Sequence, residues 1–190
     1  MTSEKRYSYA RPDNVIINHI DSGFPKWLII VGFIWMILGA IAAIHPIHLL
    51  IDPYPIQLSI IDTGGTFILY LAMFLGMRHL YRPMSIFWIL LLAMGILKVV
   101  LYLIGPSVGE LHPYFPMALI LIYIPLGTLL TIWYRGRLKT VGICMAIRVV
   151  LMIVIFCALT LLGFPNEWYI DIPMFLINLA LAVSLYRVLV

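Results

Sequence analysis

Apolar residues run along this chain in long, uninterrupted stretches, and the polar positions are confined to short breaks between them. Runs of about 20 apolar residues fit neither the two-residue alternation of a half-buried strand nor the narrow stripe of a soluble amphipathic helix. They fit a helix crossing a hydrocarbon layer roughly 30 Å thick. Six such runs are present, over residues 27–44, 58–77, 84–104, 116–133, 141–162 and 172–189. The breaks between them carry turn chemistry: Pro46, Asp52-Pro53-Tyr54-Pro55, Arg82-Pro83, Gly105-Pro106, Arg135-Gly136-Arg137 and Gly163-Phe164-Pro165. Pro125 falls inside the fourth run and is expected to kink it. Every backbone polar group must be satisfied within lipid, so each run is predicted to be a helix; runs of this length exclude a barrel. The expected fold class is therefore an all-α integral membrane protein of six transmembrane helices, arranged as three consecutive helical hairpins.

Composition agrees with this reading. Hydrophobic residues make up 64% and charged residues 11% of the 190, against about 45–50% and about 25% in soluble globular domains. A soluble, disordered, collagen-like or disulfide-rich secreted chain is excluded on that balance.

Charge adds orientation. Lys5, Arg6, Arg11 and Lys26 precede the first run; Arg78 and Arg82, then Arg135, Arg137 and Lys139, lie in the connections on the same side, and Arg187 closes the chain. The three opposite loops hold no Lys or Arg, so both termini are expected in the cytoplasm, with the protein in the cell membrane. Trp27, Tyr54, Tyr81, Tyr114, Trp133, Tyr134, Trp168, Tyr169 and Tyr186 mark the ends of the runs, where an aromatic ring with a polar edge is at home. The net charge of +4 follows from this orientation and carries no nucleic-acid inference.

Two segments result: residues 1–26, cytoplasmic or interfacial, and residues 27–190, the six-helix bundle. The first lacks the apolar core and cleavage pattern of a secretory signal, so the first span is read as an uncleaved anchor. After Pro12, Asp13 or Asn14 is placed to cap a short amphipathic helix with Ile16, Ile17 and Ile20 on one face, ended by Gly23 and Pro25. Each returning span opens on a Pro, and Lys98-Val99-Val100-Leu101 echoes Arg148-Val149-Val150-Leu151. Such echoes suggest a repeated hairpin, although Val and Leu matches are common in spans.

Ionisable residues within spans are the candidates for chemistry, because each costs at least ~2.5 kcal/mol at mid-bilayer. Asp62, followed by Thr63-Gly64-Gly65-Thr66, Lys98 and Asn178 are all placed in the outer half, roughly 10 Å deep for Lys98, so depth permits them to meet as a ligand-binding pocket. The competing reading has Lys98 snorkelling outward, Asp62 interfacial and Asn178 bonded to a neighbouring helix. Arg148 is placed about 10 Å from the inner boundary, either binding an anion or lipid headgroup or reaching back to the cytoplasmic interface. In the outer loops, His45, His48, Glu110 and His112 supply donors of the kind that zinc or copper takes; satisfied interfacial histidines are the better reading of them. Cys144 and Cys157, roughly 20 Å apart on one helix, cannot bridge. No phosphate-binding loop, dinucleotide fingerprint, zinc-protease motif or nucleophile elbow is present, and no cofactor is indicated.

The expected function is transport or binding of a small solute or ion within the bilayer. A non-catalytic subunit of a larger membrane complex is the first alternative, and a membrane enzyme with an outer-face metal site is the second. The expected partners are membrane lipids, with further membrane subunits or a second copy of the chain, and no nucleic acid.

Overall fold

In a computed structural model, the described residues are 14–42, 55–104, 114–160 and 168–190; the side chains of 55–62, 98, 101–104, 114–116, 159–160 and 168–171 lie outside the description. Six helices occupy these segments: α1 (Lys26–Ala42), α2 (Pro55–Leu80), α3 (Arg82–Ile104), α4 (Tyr114–Trp133), α5 (Arg137–Thr160) and α6 (Trp168–Leu189). α2, α3, α4 and α6 each contain one of the apolar runs, and α1 and α5 cover theirs as far as residues 42 and 160, so the all-helical class is as expected. Pro125 and Pro173 are carried inside α4 and α6. Among the described residues, α5 over Arg137–Ala158 and α6 over Ile172–Leu189 are long and apolar enough to cross a membrane, and Lys26–Ala42, Arg82–Leu97 and Met117–Trp133 are shorter apolar stretches.

Glycine decides which helices come closest, because backbones approach only where no side chain intervenes. On α1 and α2, a Cβ at Gly65 would lie 2.8 Å from the Gly32 carbonyl oxygen, and one at Gly64 would lie 3.1 Å from the Trp35 ring. On α4 and α5, a Cβ at Gly127 would lie 3.1 Å from the Gly142 carbonyl oxygen. These two pairs pack most extensively, followed by α2 on α3 and α5 on α6; α1 on α6 closes the arrangement, while α3 touches α4 only sparsely. Of the three expected hairpins, α1–α2 and α5–α6 therefore pack as pairs and α3–α4 does not. The middle pair, α3 and α4, has no glycine at its contact among the described residues, and the packing groups as α1–α2–α3 and α4–α5–α6.

α2 is the central helix: between Thr63 and Met77 none of its residues is exposed, and Leu69, Ala72, Met73 and Met77 are fully buried. The other five helices turn apolar faces outward, with Ile34 and Leu38 on α1, Ile86 and Ile96 on α3, Leu121 at 73% exposure on α4, Val150 and Val154 on α5, and Leu176 on α6. Soluble monomers rarely expose apolar surface so continuously.

The short helix expected in the leading segment is not formed over residues 14–25. The chain there is extended, with β1 (Val15–Ile16) running parallel to β2 (Tyr134–Arg135) at the α4–α5 corner. Its backbone is satisfied by other elements. Ile17 N–H donates to Arg135 O at 3.1 Å, and Ile17 O accepts from Leu138 N–H at 3.1 Å in the first turn of α5; Ile20 N–H donates to Val188 O at 2.8 Å at the end of α6. Asn18 Oδ1 accepts from Arg137 N–H at 3.3 Å. The strap thus caps two helix ends whose groups lack intrahelical partners, which outweighs the weak tendency of so short a segment to coil into a helix alone. Ile20 is buried in a notch on α2 that exists because position 76 is glycine. The strap, the C-terminal turn of α2, the α4–α5 corner and the end of α6 therefore share one end of the bundle, where Arg78, Arg82, Arg135, Arg137 and Arg187 also gather.

Tyr134 at that corner is buried, and its hydroxyl has no partner among the described residues. Burial, with a smaller push from the Tyr81 phenol, raises its pKa from 10.0 to about 12. Because the folded value lies above the unfolded one, the stability gained by keeping this phenol neutral is complete below pH 10 and is lost between pH 10 and 12, by roughly 1 kcal/mol at pH 11. Unfolding midpoints measured from pH 8 to 11 are expected to fall less steeply for Tyr134→Phe than for the parent; parallel curves would show that this phenol does not titrate in that window.

Candidate functional site

Where α2 faces α4 and α5 across the loosely packed α3–α4 side, a chamber of about 80 Å³ remains, bordered by Thr63, Thr66 and Tyr70 of α2, Gly95 of α3, Tyr123 of α4 and Arg148 of α5. The α2 residues at 63, 66 and 70 recur at helical spacing, so one stripe of α2 forms that wall. Gly95 keeps α3 from filling it: a Cβ there would lie 3.6 Å from Thr63 Cγ2.

Arg148 is the organising residue. α5 begins at Arg137, so Arg148 is the twelfth of its 24 residues and lies roughly 16 Å along the helix at 1.5 Å per residue. The sequence reading counted from Val141, where the apolar run begins; the helix itself starts four residues earlier, and the Arg148 side chain is bonded to Tyr123 of α4 rather than directed back along α5. Its Nη1 donates to Tyr123 Oη at 3.0 Å, and the guanidinium carbon sits 5.0 Å from the centre of the Tyr123 ring. Tyr123 is itself midway along α4, and its hydroxyl lies 2.6 Å from that of Tyr70. The Tyr70 ring stands edge-on to Trp88 of α3, with centroids 5.4 Å apart at 67°. Both phenols and Trp88 are buried. A charged donor, two phenols and an edge-on indole thus form a continuous line through the middle of the bundle. Hydrogen bonds in such a line polarise one another and are strengthened by the charge at one end.

Thr63 lies on the same α2 wall as Tyr70, outside that line of hydrogen bonds. It is 8% exposed, and its Oγ1 is buried with no hydrogen-bond partner among the described residues. A buried hydroxyl left unsatisfied costs about 1–3 kcal/mol, so this position is costly to keep polar unless something occupies the chamber.

Of the other residues expected from sequence, Asp62 immediately precedes Thr63, and Lys98 follows Gly95 by one turn. The Gly95–Thr63 approach therefore puts their backbone positions within about a turn of each other in depth; their side chains lie outside the described residues. Asn178 is half-buried on α6 with its Oδ1 unpartnered among the described residues, but it is not on the chamber wall. α6 packs on α5 and α1 rather than on α3, so the described packing does not bring Asn178 to Lys98. His45, His48, Glu110 and His112 lie outside the described residues, and among those that are described no group of three metal-ligating side chains occurs. Cys144 is a packing residue, 3.4 Å from Ser184 Oγ at the α5–α6 contact.

Tyr70 and Tyr123 were missed by sequence reasoning, which read tyrosines as interface markers. The signal was available: both sit well inside their apolar runs, and a tyrosine away from the interface needs a partner for its hydroxyl. The chain matches no family model, no curated protein and no solved structure.

Proposed function

We propose that this is a membrane protein of six crossings, with both termini on the cytoplasmic side, whose central chamber binds a small solute on Arg148 and passes it across or holds it within the bilayer. One observation carries the proposal: a guanidinium at the midpoint of α5 is turned inward onto the chamber and held there by Tyr123. An arginine at that depth is costly to insert, and one directed inward is a functional feature by default. The six apolar runs, the apolar outward faces and the basic residues collected at one end support the membrane arrangement.

Two measurements test it. In a Cys144→Ala, Cys157→Ala background, single cysteines at Ser3 and Lys139 are expected to react with an impermeant maleimide only from the cytoplasmic side, and one at Ser107 only from the opposite side. For binding, the purified protein is screened for thermal stabilisation by small anionic, neutral and cationic solutes, since a ligand that binds only the folded state raises the midpoint. At least one class is expected to stabilise the parent and not Arg148→Gln. If none does, and the protein purifies with stoichiometric partner chains, the complex-subunit reading takes its place.

A further inference from the structure

We infer that the chamber's ligand is an amphiphile dissolved in the bilayer, a single apolar chain ending in an oxygen head of the fatty-alcohol or fatty-acid kind, which enters sideways between α3 and α4 and seats its head against Thr63; this rests on the reading that the chamber binds a ligand. The wall is unevenly built. Its hydrogen-bonding groups come from α2, at Thr63, Thr66 and Tyr70, and from Tyr123 and Arg148 on α4 and α5. α3 contributes Leu91, Leu92 and Gly95, and the outer part of α4 contributes Leu119, none with a polar side chain. The apolar stretch of wall thus falls on two neighbouring helices that touch only sparsely. α1 and α2, like α4 and α5, are drawn together by facing glycines, whereas α3 meets α4 without one among the described residues, so nothing there brings backbone onto backbone. At the level of Gly95 and Leu119 both helices also present exposed apolar residues, Ile96 and Leu97 on α3 and Met117 and Leu121 on α4. The seam therefore runs from hydrocarbon on the outside to an apolar edge of the chamber within.

Thr63 sets what the head must carry. Its Oγ1 is on a side chain more than nine-tenths buried and has no partner among the described residues, and a threonine hydroxyl both donates and accepts. An alcohol or carboxyl oxygen satisfies it whichever way the hydrogen points; a plain hydrocarbon leaves it unsatisfied. Depth agrees, because Thr63 is five residues inside the apolar run that begins at 58, roughly 8 Å at 1.5 Å per residue, near the level where the polar end of an amphiphile meets the acyl region. Toward the arginine-rich end, Met73, Met77, Met84, Leu130 and Met145 are fully buried and form an apolar plug below the chamber. A hydrated solute loses water against such walls without replacement. An amphiphile keeps its chain in hydrocarbon throughout and has only its head to satisfy.

The test uses the full chain in lipid nanodiscs and a long-chain alcohol carrying a diazirine beside its hydroxyl, with the labelled residues located by peptide mass spectrometry. The expected result is labelling within 63–70, 91–95 and 119–123 that saturates with the mole fraction of probe and is competed by the unlabelled alcohol or by the fatty acid of equal length, but not by the alkane. Whichever competitor is the stronger names the head. Thr63→Val, equal in shape and lacking the hydroxyl, is expected to reduce that labelling about fivefold, and Gly95→Leu, which puts a side chain at the seam, to abolish it; each variant is first checked for parental helicity and elution. Labelling confined to outward residues such as Leu121 and Ile96, rising without saturation, overturns the inference. So does equal competition by the alkane or equal labelling of Thr63→Val, since the head is then not recognised, and so does equal labelling of the chamber by a short, water-soluble diazirine alcohol, which puts the entrance on the aqueous side. If the amphiphile fails while a water-soluble solute stabilises the parent and not Arg148→Gln, the chamber reading stands and this inference alone falls; if neither acts, both fall.

Discussion

Gly65→Ala is expected to be the most damaging single-methyl addition in the bundle, lowering stability by about 3 kcal/mol or more, at the top of the range for overpacking. The physical reason lies in what the methyl meets. Its Cβ would stand 2.8 Å from the Gly32 carbonyl oxygen and 2.7 Å from the Trp35 carbonyl carbon. Those are backbone atoms of a packed helix, and they cannot rotate away as the end of a side chain does. α1 would have to lift from α2, and because α1 also closes the bundle against α6, the loss spreads to a second interface. Gly95→Ala supplies the contrast. Its Cβ meets only Thr63 Cγ2 at 3.6 Å, an ordinary contact, and alanine favours the helix by roughly 0.5–1 kcal/mol over glycine. Thermal unfolding in detergent should separate the two variants by about 3 kcal/mol or more. Equal midpoints would mean that α1 and α2 are not held backbone to backbone.

Tyr123→Phe is expected to cost about 2–4 kcal/mol, well above the usual effect of removing one hydroxyl. That oxygen serves two partners at once, Arg148 at 3.0 Å and Tyr70 at 2.6 Å; the first bond is charge-assisted and the second neutral, and removing their common member leaves buried donors behind. Tyr70→Phe, at the end of the line, is expected to cost about 1 kcal/mol. The double variant should fall short of the sum by about 1 kcal/mol, the coupling expected within one network. Strict additivity would show that the phenols do not share a bond. A solute-binding assay on Tyr123→Phe adds an independent reading, since Arg148 loses one of the groups that position it at the chamber.

Much of the architecture is local and could be read directly. The length of each apolar run, the turn residues between runs and the placement of basic residues depend on neighbours in sequence, because a helix satisfies its own backbone. The described part of every run accordingly lies in a helix. The leading segment departs from its local pattern: Ile16, Ile17 and Ile20 suggest a helical face, yet the partners that satisfy residues 17 and 20 are Arg135, Leu138 and Val188, more than a hundred residues away. No local pattern encodes that choice. The hairpin plan fails at α3–α4 for a related reason, since sequence adjacency says which helices are tethered, whereas glycines facing one another bring α1 onto α2 and α4 onto α5 backbone to backbone.

The site divides along the same line. Arg148 stood out in the sequence because a charge in an apolar run is costly wherever it lies, but its depth depended on where the helix begins and its direction on what α4 presents. Tyr70 and Tyr123 lie 53 positions apart and meet at 2.6 Å; Thr63 gains its meaning from being buried without a partner.

By itself, then, the sequence determined that the apolar runs of this chain are helical and which few polar residues within them are available for chemistry, since both follow from the mismatch between polar groups and hydrocarbon that each run carries alone. Only the tertiary structure decided that Arg148, Tyr123, Tyr70 and Thr63 form one chamber while Asn178 stands apart. That choice was made by close approaches at Gly32, Gly65, Gly127 and Gly142, and by a strap that joins the ends of helices distant in the chain.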